Sequence, residues 1–183
     1  MAEFGESSYR RFLQGDKSAL EELIRTYSDA LVRYAYSYVA DACIAEEVME
    51  DSFAALFMKL RPIRDEAHLR SYLYRTVRSR CIDYLRRHRQ QVSLEELENV
   101  LCASDTEQDF LSRERNRVLY AAMRQLSADY RDVLILTYFD ELSTAQISTV
   151  MGKSAKQIYN LHARAKIALK ILLEKEGITH EDL

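Results

Sequence analysis

Chain-breaking residues are nearly missing from this sequence: one proline, Pro62, and four glycines in 183 residues. Sandwiches and barrels need a turn every few residues, and turns need glycine and proline. An all-β fold is therefore excluded, as are collagen-like and low-complexity chains. The expectation is an all-α protein. Hydrophobic residues at 48% and charged residues at 30% supply a normal core and a normal surface. The length suits one or two small domains. No apolar run approaches the roughly 18 residues that span a bilayer. The opening MAEFGESSYRRF lacks a signal-peptide apolar stretch. A cytoplasmic protein without membrane insertion is expected.

Catalytic and metal chemistry find little to work with. Cys43, Cys81 and Cys102 are widely spaced, with no Cys-x-x-Cys, and His68, His88, His162 and His180 are scattered. This argues against a disulfide framework or a zinc site. There is no glycine-rich phosphate loop and no nucleophile–base pair. The chain is read as a non-enzyme with no cofactor and no metal.

The formal net charge of -3 conceals segregation. Residues 41–60 carry five acids and one base, and residues 61–91 carry nine arginines and three acids. Residues 92–112 carry six acids and no base, and residues 153–172 carry five bases and no acid. A phosphate responds to charge within about 8 Å at physiological salt, so the two basic blocks are separate candidate nucleic-acid footprints. Two solvated helix faces would give the same pattern.

Apolar periodicity predicts helices over Ser18–Val39, Ile44–Leu60 and His68–Arg89. Ser18 and Glu21 fit a capping box at the first, and Pro62 is positioned to end the second. Four further helices are expected over Arg113–Leu126, Ala128–Phe139, Ser143–Met151 and Ser154–Glu174. The chain thus divides into an N-terminal helical domain, 1–90, an acidic linker, 91–112, and a C-terminal helical domain, 113–183.

The strongest local signal is STAQISTVMGKSAKQ, from Ser143 to Gln157. Two short helices each open with a Ser-x-x-Gln box, and Gly152 can take the left-handed turn between them. This is the helix-turn-helix pattern, whose second helix enters the major groove. Lys156, Tyr159, Asn160 and Lys166 fall opposite its apolar face, with Gln157 and Arg164 on the flank. Asn and Gln can read adenine bidentately, and lysines suit phosphates.

The predicted helix His68–Arg89 interleaves Arg75, Arg78, Arg86 and Arg87 with Tyr72, Tyr74 and Tyr84. Arginine pairs with phosphate and tyrosine stacks on an unpaired base, a combination suited to strand-separated nucleic acid. Tyr84 is expected in the core. Arg80 falls toward the apolar face, to be paired with Asp83 or a buried acid. Glu46, Glu47, Glu50 and Asp51 form an acidic cluster that either complements the helix dipole or docks on a basic protein surface.

Four stretches carry a family resemblance: GDKSALEELIRTYSDALVRYAYSYV, DACIAEEVMEDSFAALFMKL, SYLYRTVRSRCIDYLRRHR, and LSADYRDVLILTYFDELSTAQISTVMGKSAKQIYNLHARAKIAL. In order and spacing the chain resembles a bacterial RNA polymerase sigma factor of the sigma-70 family, extracytoplasmic-function subgroup. The resemblance implies core RNA polymerase and promoter DNA as partners, and an anti-sigma factor as a further one. It implies polymerase docking by Glu46, Glu47, Glu50 and Asp51, with Glu50 where the family has glutamine. It implies recognition and melting of the promoter -10 element by Tyr72, Arg75, Arg78, Ser79, Arg86 and Arg87. Tyr72 stands in for a common tryptophan and Ser79 for asparagine. The -35 element would be read by Lys156, Gln157, Tyr159, Asn160, Arg164 and Lys166, with Leu161 at a common arginine position. The acidic linker would pass near the polymerase active-site channel. Two other readings stay open: a stand-alone helix-turn-helix regulator with a helical sensor domain, and a helical scaffold that binds no DNA.

Overall fold

The computed structural model describes residues 8–59, 63–88, 119 and 121–175. The chain resolves into two compact units, Met1–Val92 and Ser93–Leu183. Among the described residues there is no strand, and no helix is long and apolar enough to cross a membrane. The proposed acidic linker lies outside the described residues.

The first unit comprises α1 (Ser8–Leu13), α2 (Lys17–Val39), α3 (Ala42–Phe57) and α4 (Glu66–His88). Asp16, not Ser18, caps α2: its Oδ1 accepts from the Ser18 backbone N–H at 2.9 Å and from the Ser18 hydroxyl at 2.7 Å. A carboxylate two residues earlier accepts both donors, so the serine of the expected capping box acts as a donor instead. Arg11 clamps the same carboxylate through Nε and Nη2 at 3.0 and 2.8 Å. The Ser18 and Arg11 hydrogen bonds hold the Asp16 carboxyl down at about 2.

Ala40 closes α2 in the left-handed region at φ 55°, donating to the Tyr36 carbonyl, and Asp41 immediately caps α3 by accepting from the Ile44 N–H at 3.0 Å. The two helices therefore fold back as a hairpin. The α3 helix ends at Phe57 with Met58 as its cap, short of the expected Leu60. The Pro62 signal lies outside the described residues. Asp65 caps α4, taking the His68 backbone N–H at 3.0 Å.

Leu23, Leu31, Leu56, Leu69, Leu73 and Val77 fill the core with two tyrosines, Tyr34 and Tyr74, whose rings meet at 5.3 Å. Cys81 is buried there and its thiol donates to the Ala35 carbonyl at 3.9 Å. Tyr74 is thus the core tyrosine of α4. Tyr84, expected inside, is only half-buried and stacks on His88 at 4.1 Å. The wheel places Tyr84 at the edge of the apolar stripe, and its neighbour one turn on covers it. Ile24 of α2 faces solvent, while small Ala19 takes a fully buried place.

In the second unit, residues 121–125 are helical and are followed by α5 (Ala128–Leu134). The expected α-helix to Phe139 does not continue: Ile135–Phe139 widens into a π turn. The Asp140 N–H reaches the Ile135 carbonyl at 3.1 Å, five residues back. The extra residue keeps Leu136 buried while turning Tyr138 and Phe139 outward. Next come α6 (Thr144–Met151) and α7 (Ala155–Lys175). Gly152 joins them at φ 65°, its N–H on the Ser148 carbonyl. Space around Gly152 is open, so backbone conformation, not crowding, calls for glycine here. Ile147, Val150 and Ile158 close the small core across this turn.

Candidate nucleic-acid interface

Both Ser-x-x-Gln boxes form. In α6, Ser143 Oγ accepts from the Gln146 N–H at 3.3 Å and Gln146 Oε1 accepts from the Ser143 N–H at 2.9 Å. At the start of α7 the corresponding distances for Ser154 and Gln157 are 3.3 and 2.8 Å. These reciprocal bonds fix where each helix starts, and so which residues face out.

All six predicted α7 residues are exposed: Lys156, Gln157, Tyr159, Asn160, Arg164 and Lys166. Tyr159 is 76% exposed, which no core role would allow. Two other bases of this block are engaged within the unit. Lys153 pairs with Asp129 at 3.1 Å, and Lys170 with Glu174 at 3.7 Å. His162 packs half-buried against Tyr138, ring centroids 5.4 Å apart. Its burial, helped by nearby Lys166, pushes the imidazole below its ordinary value of 6.5.

The α4 face is less uniform. Tyr72, Arg75, Ser79 and Arg87 line one groove of about 840 Å³ between α3 and α4, together with Tyr84 and Thr76. Tyr72 is held there from two sides: its hydroxyl donates to the Ala55 carbonyl at 3.3 Å, and Lys59 Nζ lies 4.2 Å from its ring centroid. Arg78 and Arg86 do not line this groove. Arg86 is exposed and pairs with Asp83 at 3.1 Å. Arg80 crosses to α3 and meets Asp51 at 2.5 Å, so its partner is a solvent-facing acid, not Asp83 or a buried one.

That contact divides the acidic cluster. Glu47 and Asp51 line the groove against α4, while Glu46 and Glu50 line a separate cleft of about 420 Å³ with Asp29, Val32 and Arg33 of α2. Residues four apart share a helix face, so the four acids make two pairs rather than one ridge. Sequence reasoning missed Lys59 and Arg33. Lys59 is the lone base in an acidic block, and that oddity was its available signal.

Comparison with known proteins decides the family. Residues 23–91 match "Sigma-70 region 2" and residues 116–169 match "Sigma-70, region 4", together more than half of the chain. This chain belongs to the sigma-70 family. Its relatives place it in the extracytoplasmic-function subgroup. It is 25% identical over 163 residues to the ECF RNA polymerase sigma factor SigM of Bacillus subtilis, covering 88% of this chain and 99% of that protein. It is 27% identical over 166 residues to the ECF RNA polymerase sigma factor SigL of Mycobacterium tuberculosis, covering 90% and 94%. The sigma-factor fold is shared with the structure of CnrH in complex with the cytosolic domain of CnrY, with TM-score 0.67 and 20% identity over 92% of this chain and 96% of that one. The α4 face lies within the region 2 match, and α7 up to Leu169 within the region 4 match.

Proposed function

We propose that this sigma factor binds core RNA polymerase, reads a -35 element with α7, and captures the melted -10 strand with α4. The observation that carries the reading is an exposed cationic face on each unit, with a different companion chemistry on each. On α7 the cations flank amide and phenol groups on a helix-turn-helix, the equipment for duplex base edges. On α4, Arg75 and Arg87 flank Tyr72 in a groove, the equipment for an unpaired base and its phosphates. A stand-alone regulator has no use for the second.

In this reading residues 1–90 dock on polymerase and open the -10 element, 91–112 form the acidic linker, and 113–183 bind the -35 element. Glu46 and Glu50 dock on the polymerase, with Glu47 and Asp51 acting from the groove side. Arg78 and Arg86 add phosphate contacts beside Tyr72, Arg75, Ser79 and Arg87. Opening costs roughly 1.4 kcal/mol per stacking step, and captured bases and phosphates offset it. The chain supplies no chemistry of its own; bond formation stays with polymerase in the cytoplasm. A protein that occludes these faces would hold the factor inactive; CnrH, which shares the fold, is seen in complex with the cytosolic domain of CnrY.

The test is transcription in vitro with core polymerase and a genomic fragment library. Discrete start sites that require the added chain are expected. Transcripts identical with and without it would overturn the reading.

A further inference from the structure

We propose that Gln157 reads its base as a donor only, selecting guanine or thymine and rejecting cytosine, rather than pairing bidentately with adenine. The inference rests on the reading of α7 as the -35 helix. Its warrant is the cap: Gln157 Oε1 accepts the Ser154 N–H at 2.8 Å, while the Gln157 N–H donates to Ser154 Oγ at 3.3 Å.

The cap fixes the orientation of the amide. A backbone N–H needs an acceptor, so the oxygen must point inward, and a flipped amide would set donor against donor. The NH2 group is then what the exposed side chain offers to a ligand. Bidentate adenine recognition requires the amide oxygen to accept from adenine N6 while the NH2 donates to N7. Gln157 cannot do both without releasing Ser154. An NH2 group can instead bridge N7 and O6 of guanine, or donate to thymine O4; adenine offers it N7 alone, beside the competing N6 donor, and cytosine presents only a donor in the major groove. Asn160, one turn further and exposed, carries no such cap and keeps the adenine-reading option.

The experiment selects bound duplexes from a library randomised over the -35 region, using the full chain assembled with core polymerase. Three proteins are compared: the parent, Gln157→Glu and Gln157→Ala. Glutamate preserves the cap, because a carboxylate oxygen still accepts the Ser154 N–H, but it removes the donor. Thermal melting of the full chains checks this, with Gln157→Glu expected near the parent and Gln157→Ala below it. In the selection, the parent should enrich guanine or thymine at one position and deplete cytosine. Gln157→Glu should move that position toward cytosine by about tenfold, and Gln157→Ala should flatten it. The proposal is overturned if the parent selects adenine there and both variants lose it, or if all three proteins select the same sequence. If the parent selects no -35 sequence at all, the assignment of α7 itself fails, a result distinct from either.

Discussion

Arg80 Nη1 lies 2.5 Å from Asp51 Oδ2, joining α4 to α3 across the edge of the groove that holds Tyr72. The pair is solvent-facing, with side chains 36% and 56% exposed, so screening limits its worth. Asp51→Asn should therefore lower stability by less than about 1 kcal/mol in a chemical-denaturation series. Because Asp51 already has an internal cation, its loss should weaken core polymerase binding less than loss of Glu50. We expect Glu46→Lys with Glu50→Lys to reduce binding at least about tenfold, read by fluorescence anisotropy of labelled factor. Equal effects of Asp51→Asn and Glu50→Gln would contradict the division of the acidic cluster.

Tyr72 should act through its ring. Tyr72→Phe retains a stacking surface and Tyr72→Ala does not. Alanine is expected to reduce open-complex stability by about 1–3 kcal/mol, the range for one stacked base, while phenylalanine stays close to the parent. Dissociation of preformed open complexes after heparin challenge measures this. A Phe variant as defective as Ala would shift the role to the hydroxyl on Ala55.

Much of this was legible in the sequence, and the reasons differ by element. The boxes at Ser143 and Ser154 form as read, because cap, glycine turn and apolar spacing all specify the same two helices there. The cap of α2 falls on Asp16 and not on Ser18, because Asp16 precedes the serine and a carboxylate outcompetes a hydroxyl as acceptor. The π turn at Ile135–Phe139 has no local signature, since ILTYF is as apolar as an α-helix would be. The pairing of Arg80 with Asp51 joins residues 29 apart, and helical periodicity carries no information about which neighbouring helix a side chain meets.

Acid sensitivity of the first unit follows from two caps. Asp16 and Asp65 are both held at about 2, below the ordinary 3.8. The causes are hydrogen bonds, chiefly from Ser18 and Arg11 to Asp16 and from His68 to Asp65. A depressed carboxylate pKa adds stability above the unfolded value, and that stability is lost as pH falls through the folded one. Asp16→Asn and Asp65→Asn should melt below the parent at pH 6, with the gap narrowing between pH 4 and pH 2. A gap independent of pH would contradict the assignment.

Gly152→Ala should destabilise the second unit by about 1–2 kcal/mol through left-handed strain alone, because the added methyl meets nothing. Gly152→Asn should cost less, since asparagine tolerates this conformation better. Melting temperatures of the two variants order them. An alanine variant as stable as the parent would show that the turn relaxes.

The division of labour between α7 and α4 is tested most directly by charge reversal in each, on one promoter, in holoenzyme. Footprinting reports duplex binding and permanganate reactivity of thymines reports melting. Arg164→Glu with Lys166→Glu should abolish protection around -35. Arg75→Glu with Arg87→Glu should leave that protection in place and abolish permanganate reactivity around -10. Normal melting by the α4 variant, with -35 protection intact, would contradict the account.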